Sequence, residues 1–123
     1  MMGTIVKLLC IAGFFVWPTT STESLTNTKW SGTFNVPGPM DGSLEFKKDT
    51  VYLSIGENVV ETMTFQEKGD TILLQKIDGS SPCNDEMGEY KVQVNKNTLF
   101  ITAIKDDCSM RAGAFSKEGY IKE

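Results

Sequence analysis

The residues best equipped for chemistry crowd the last third of the chain. Cys83, Asp85 and Glu86 stand at one end of a segment that closes with Asp106, Asp107 and Cys108, followed shortly by Arg111. Each type carries a definite chemistry. Two thiols can join as a disulfide, and clustered carboxylates can offer oxygens to a hard cation such as calcium. An aspartate beside an arginine can serve as a catalytic carboxylate with an anion clamp, or can simply orient that arginine through a charge-assisted hydrogen bond. Hydrated loop charge is the plainer reading of the acids, so no metal is expected.

Missing residue types narrow the choice further. With no histidine in the chain, zinc or haem sites built on imidazole and the usual base-assisted triads are excluded. There is no glycine-flanked serine elbow, no glycine-rich phosphate loop and no Cys-x-x-Cys. Only Asp, Glu, Tyr and Arg remain for catalysis, so the expectation is a protein that is not an enzyme and carries no cofactor. A net charge of −4, with lysines scattered among acids, argues against nucleic acid and anionic membranes as partners, since both are held by clustered positive charge.

The compartment decides what the cysteines do. Through Ser21 the only charge is Lys7, Leu8 to Trp17 is an apolar run, and Pro18-Thr-Thr-Ser21 ends it with small residues. This is the pattern of a secretory signal peptide cleaved after Ser21; the run is about half the roughly 20 residues a spanning helix needs. Lipid attachment at Cys10 fits less well, because the small residue expected just before it is missing and most of the apolar run follows it. What is left, Thr22 to Glu123, suits one small secreted or periplasmic domain, monomeric and free of the membrane once cleaved. Cys10 leaves with the leader, and the two remaining cysteines are expected to pair as Cys83–Cys108. A loop of about 25 residues closed in this way stabilises by roughly 3 kcal/mol.

The elements that must position these residues are short alternating runs broken by turn residues, with no helical periodicity beyond a turn or two. Eight strands are predicted. The first covers Lys29 to Val36, and Pro37-Gly-Pro39 stops it before Asp41-Gly42 restarts the chain. Ser43 to Lys47 and Thr50 to Ile55 pair about Lys48-Asp49, which sets Phe46 opposite Val51 and Leu44 opposite Leu53. Val59 to Glu67 and Asp70 to Ile77 pair about Lys68-Gly69, which matches Phe65 with Ile72 and Met63 with Leu74. About Lys96-Asn97, Tyr90 faces Ala103, Val92 faces Ile101 and Val94 faces Leu99. In this register Cys83 and Cys108 meet at the open end of the hairpin. A last strand runs from Ala114 to Lys122. Sequential hairpins of this kind predict an eight-stranded up-and-down antiparallel barrel, with a sandwich of the same strands as the alternative.

Trp30-x-Gly32 on the first strand, Cys83-x4-Gly88-x-Tyr90 and Leu99-x-Ile101-x6-Cys108-x-x-Arg111 together resemble the small secreted lipocalin-like proteins of the calycin superfamily. The resemblance spans nearly the whole chain after the leader. It implies that Arg111 packs over Trp30 and closes one end of the barrel, a contact worth roughly 1 to 2 kcal/mol when desolvated. The chain departs from the pattern in being short, in lacking the usual Gly-x-Trp order and in showing no clear helix after the barrel. Pro82-Cys83-Asn84 with Gly88-x-Tyr90 and Cys108-x-Met110 is also similar to the META domain of bacterial heat-shock lipoproteins. That family continues well past its second cysteine, and it ranks second.

The inward-facing Trp30, Phe34, Phe46, Met63, Phe65 and Tyr90 are the candidate lining of an apolar ligand cavity, with core packing as their competing role. A barrel of eight strands is just wide enough to be filled by its own side chains or to hold one small ligand. With so many aromatics the interior should be largely filled, leaving a small pocket at the end away from the cysteines. The leading expectation is a binding protein for a small apolar molecule. The alternative is a protein-interaction or inhibitor domain acting through loops such as Pro37 to Gly42 or Asn58 to Val60.

Overall fold

In the computed structural model, which describes residues 24–123, the alternating runs form eight strands and one helical turn. They are β1 (Thr28–Asn35), β2 (Pro39–Phe46), β3 (Thr50–Ile55), β4 (Asn58–Lys68), β5 (Thr71–Gly79), β6 (Met87–Asn95), β7 (Thr98–Asp106), α1 (Ser109–Ala112) and β8 (Tyr120–Lys122). Each strand pairs antiparallel with the next and β8 returns to β1, giving a closed up-and-down barrel. The sandwich alternative is thereby removed. The leader expected over residues 1–21, with Cys10, lies outside the described residues.

Side-chain parity sets most of the register. Leu44 faces Leu53 and Phe46 faces Val51 across β2 and β3, while Tyr90, Val92 and Val94 face Ala103, Ile101 and Leu99 across β6 and β7, all as predicted. The β4–β5 hairpin differs. Its turn is Gly69-Asp70, so Phe65 faces Leu74 and Lys68 faces Thr71. Gly69 at φ +64° supplies the left-handed conformation that the first central position of a two-residue hairpin loop needs. The slip moves partners by two positions, which keeps every apolar side chain on its own face.

The strand ends depart from prediction in two instructive ways. β2 begins at Pro39, opposite Asn35, and not at Ser43. Proline is tolerated as the first residue of a strand because no ladder hydrogen bond is asked of it. Met40, Asp41 and Gly42 therefore belong to the sheet, and the expected Pro37 to Gly42 loop shrinks to its first residues. The last strand forms only at Tyr120–Lys122; ahead of it the chain is the helical turn α1 and a coil touching β1 through a single Phe34–Phe115 bridge.

These facts give the barrel unlike ends. At one end Trp30, Phe46, Val51, Phe65, Ile72 and Leu99 are all buried, with the Phe46 and Phe65 rings 4.8 Å apart. Leu25 belongs to the same buried cluster and plugs this end. Its amide donates to Glu67 Oε2 at 2.9 Å, and the Asn27 amide donates to the Phe46 carbonyl at 2.8 Å. The Trp30 indole is satisfied locally, donating to Thr28 Oγ1 at 2.8 Å. At the other end, where the ladder between β7 and β1 gives out, the chain is held by side chains and a disulfide.

Candidate functional site

Cys83 lies in the β5–β6 connection and Cys108 just before α1, and they are bonded with Cα atoms 5.5 Å apart. The pairing is the one read from the sequence. Between them sits a buried polar network. At the end of β7, the Asp106 carboxylate accepts from Arg111 Nε at 2.6 Å and Nη2 at 2.8 Å, from the Cys108 amide at 2.8 Å and from the Tyr90 hydroxyl. Arg111 Nη2 also donates to the Glu86 carbonyl at 2.8 Å. The Asp106 and Arg111 side chains are almost fully buried, so this fork-shaped pair operates away from water. Gly88 is required beside it: a Cβ there would come within 2.5 Å of Asp106 Oδ2 and 2.8 Å of the Tyr90 ring. The Gly88-x-Tyr90 spacing thus follows from how closely the network packs against β6.

The charges respond to these contacts. Burial on its own would raise the Asp106 carboxyl, but hydrogen bonds from Arg111, Tyr90 and the Cys108 amide outweigh it and hold the group below the ordinary range. Burial, aided by the hydrogen bond to Asp106, pushes the Tyr90 hydroxyl far above its usual value. Burial also pushes Tyr120 up to about 12; its hydroxyl donates to the Thr33 carbonyl at 3.0 Å and accepts from the Ser116 amide at 2.8 Å. Of the other acids in the sequence cluster, half-buried Glu86 accepts from the Asn84 amide at 2.7 Å, and that bond lowers its carboxyl. Asp106 is turned inward and committed to Arg111, Tyr90 and the Cys108 amide.

Two readings of Arg111 are corrected here. None of its hydrogen bonds reaches Trp30, and the cation over the Trp30 ring is Lys122, whose Nζ lies 6.0 Å from the centroid. Trp30 sits at the plugged end with Phe46, whereas Arg111 sits at the disulfide end. The arginine does not cover the tryptophan because it follows Cys108 directly into α1 and is captured there by Asp106. Nor does it seal the disulfide end. That end contains a cavity of about 300 Å³, and Arg111 is part of its wall.

The cavity is mostly apolar, with Val36, Leu53, Ile55, Met63 and Phe115 among its walls. Of the six side chains expected to line a ligand cavity, only Met63 does so. Trp30, Phe34, Phe46, Phe65 and Tyr90 are packed core residues. Phe115 divides the two zones: its ring is edge-on to Tyr90 at 5.1 Å and to Phe34 at 6.3 Å, while it also forms part of the cavity wall. The space therefore lies on the side of the barrel that carries the cysteines, opposite to the expectation. The short β8 explains why, since a full-length strand from Ala114 would have carried the ladder across this region.

Two polar wall residues were not singled out from the sequence. Glu61 stands on β4 in alternation with Met63 and Phe65 and faces inward opposite Leu53; that parity was the available signal. It is only 6 % exposed. Ser81 holds it, the Ser81 amide donating to Oε1 at 3.2 Å and the hydroxyl to Oε2. Ser81 Oγ in turn accepts from the Cys83 amide at 3.3 Å, which ties Glu61 to the disulfide. Bulges in the β3–β4 and β4–β5 ladders flank this position.

Fold and site together define an eight-stranded antiparallel barrel with one disulfide and a small apolar cavity at the disulfide end. No protein-family model, no curated protein and no solved structure matches the chain.

Proposed function

We propose that this is a lipocalin-like binding protein for a small apolar molecule, secreted or periplasmic, with its site in the cavity beside the disulfide. One observation carries the reading: a barrel that fills its interior with aromatics at one end leaves about 300 Å³ of apolar-walled space at the other. That volume is at the small end of the ~300–1,000 Å³ range of ligand pockets. The disulfide supports an oxidising compartment, and no described helix is long and apolar enough to cross a membrane. Native mass spectrometry of freshly isolated protein and titration with apolar fluorophores test the reading. Saturable one-to-one binding lost on filling the cavity, as in Val36→Trp, is expected; no co-purified molecule and no saturable binding would defeat it.

A second reading is a protein-interaction or inhibitor domain of the same fold. Met40 and Met110, on the cavity wall, are 46 % and 40 % exposed, and Val59 is 57 % exposed, so apolar side chains stand at the surface of this end. Stoichiometric recovery of one protein from the surrounding medium, abolished by Met40→Asp, would favour this second reading.

A further inference from the structure

Two charged side chains border the cavity, and they differ in what balances them. Arg111 faces a counter-charge, since both Asp106 oxygens accept from it at 2.6 and 2.8 Å, although its buried Nη1 has no hydrogen-bond partner among the described residues. Glu61 is buried to a similar degree but makes no ion pair with any described lysine or arginine. Among the described residues, its hydrogen-bond donors are the amide and hydroxyl of Ser81. Lys76 Nζ donates to the Ser81 carbonyl at 2.5 Å. The wall thus carries one cation paired with a carboxylate and one carboxylate that, among the described residues, has hydrogen-bond donors but no ion-pair partner.

The carboxylate is built into place. A Cβ at Gly79 would collide with Glu61 Oε1 and come within 2.6 Å of the Val60 carbonyl, so glycine there leaves the space that Glu61 occupies. Ser81 fixes its direction, and the Cys83 amide fixes Ser81. A buried carboxyl group with no cation beside it is a costly arrangement, and a cation brought against it offsets that cost. We propose that the cavity selects a cationic amphiphile, a protonated alkyl or arylalkyl amine. Its ammonium pairs with Glu61, and its hydrocarbon lies against Val36, Leu53, Ile55 and Phe115. The proposal rests on the ligand-binding reading above and names the ligand class. An alkyl carboxylate of the same length would bring its charge against Glu61 and is disfavoured.

The test is isothermal titration of the oxidised protein with decylamine, decanol and decanoate, each below its micellar concentration, repeated on Glu61→Gln. Decylamine is expected to bind at one-to-one stoichiometry at least tenfold tighter than decanol, with decanoate weakest. Glu61→Gln keeps an acceptor for Ser81 and should reduce the amine-to-alcohol ratio to below about threefold while leaving decanol affinity nearly unchanged. The wild-type series stands by itself should the variant not fold. Equal binding of the three ligands, tightest binding of decanoate, or an amine preference that survives Glu61→Gln would overturn the proposal while sparing the binding reading. Binding of none of the three would overturn both.

Discussion

The two ends of the barrel are held by different means. At the plugged end the ladder is unbroken from β7 through β8 to β1, and Leu25, Trp30, Phe46 and Leu99 fill the space it encloses. At the disulfide end β8 is absent, and a single Phe34–Phe115 bridge stands in for it. There the chain is tied by Cys83–Cys108, by Asp106 with Arg111 and Tyr90, and by Glu61 with Ser81. A continuous ladder brings strands close enough for side chains to fill a small barrel. Point attachments hold the backbone further apart and leave a cavity. Stability should therefore concentrate at the first end and adaptability at the second.

The largest effects should separate the two ends by packing. Phe46→Ala at the filled end is expected to cost about 3–5 kcal/mol, while Ile55→Ala, beside space that already exists, should cost under about 2 kcal/mol. Urea unfolding of both variants reads the difference; equal losses would show that the cavity wall is packed as tightly as the core.

Asp106→Asn probes the polar tie. Leaving the buried Arg111 without its counter-charge should cost about 3 kcal/mol. The pH dependence has a definite sign. Because the Asp106 carboxyl is lower in the folded than in the unfolded chain, its contribution is complete above the unfolded value of about 3.9. It is lost as pH falls through the folded value. Stability measured below pH ~4 should thus fall less steeply in the variant than in the wild type; an unchanged slope would remove Asp106 from the account.

Reducing Cys83–Cys108 should lower stability by roughly 3 kcal/mol, and its local signature sharpens the comparison. Amide exchange should accelerate first around Ser81, Cys83 and Cys108, with the strands carrying Ile72 and Leu99 unaffected. Uniform acceleration would mean that the disulfide acts on the whole fold and not on one end.

The smallest effect lies on the alkaline side. Tyr120 is raised to about 12 and Tyr90 also upward. Their contributions are therefore complete below the unfolded value of about 10 and are lost as pH rises through the folded ones. Tyrosinate absorbance should show Tyr90 and Tyr120 ionising late, and Tyr120→Phe should remove one of the late steps.

How far the sequence reached follows from the same contrast. Alternation of apolar and polar residues determined the strand faces, so the barrel, the Phe46–Val51 and Val92–Ile101 pairs and the disulfide were all legible. The β4–β5 turn was not, because Lys68-Gly69 and Gly69-Asp70 keep the same side chains inward and parity cannot tell them apart. Leu25 gave no sign of being a plug, since it stands outside any alternating run. The site was the least legible part. Arg111 is fixed by its sequence neighbours only to the vicinity of Cys108, and whether it meets Trp30 or Asp106 depends on where the chain turns after β7. Glu61, like Glu67, is an acid in phase with Met63 and Phe65 and could have been noticed for that, but its tie to Ser81 depends on bulges that no periodicity reveals.

That ligand-sized space lies at the disulfide end is tested most directly by methyl-resolved NMR during titration with a small apolar probe such as xenon. Saturable shifts confined to the methyls of Val36, Leu53, Ile55 and Met63, with Ile72, Leu74 and Leu99 unmoved, are the predicted result. Shifts centred on Ile72 and Leu99, or none that saturate, would contradict it.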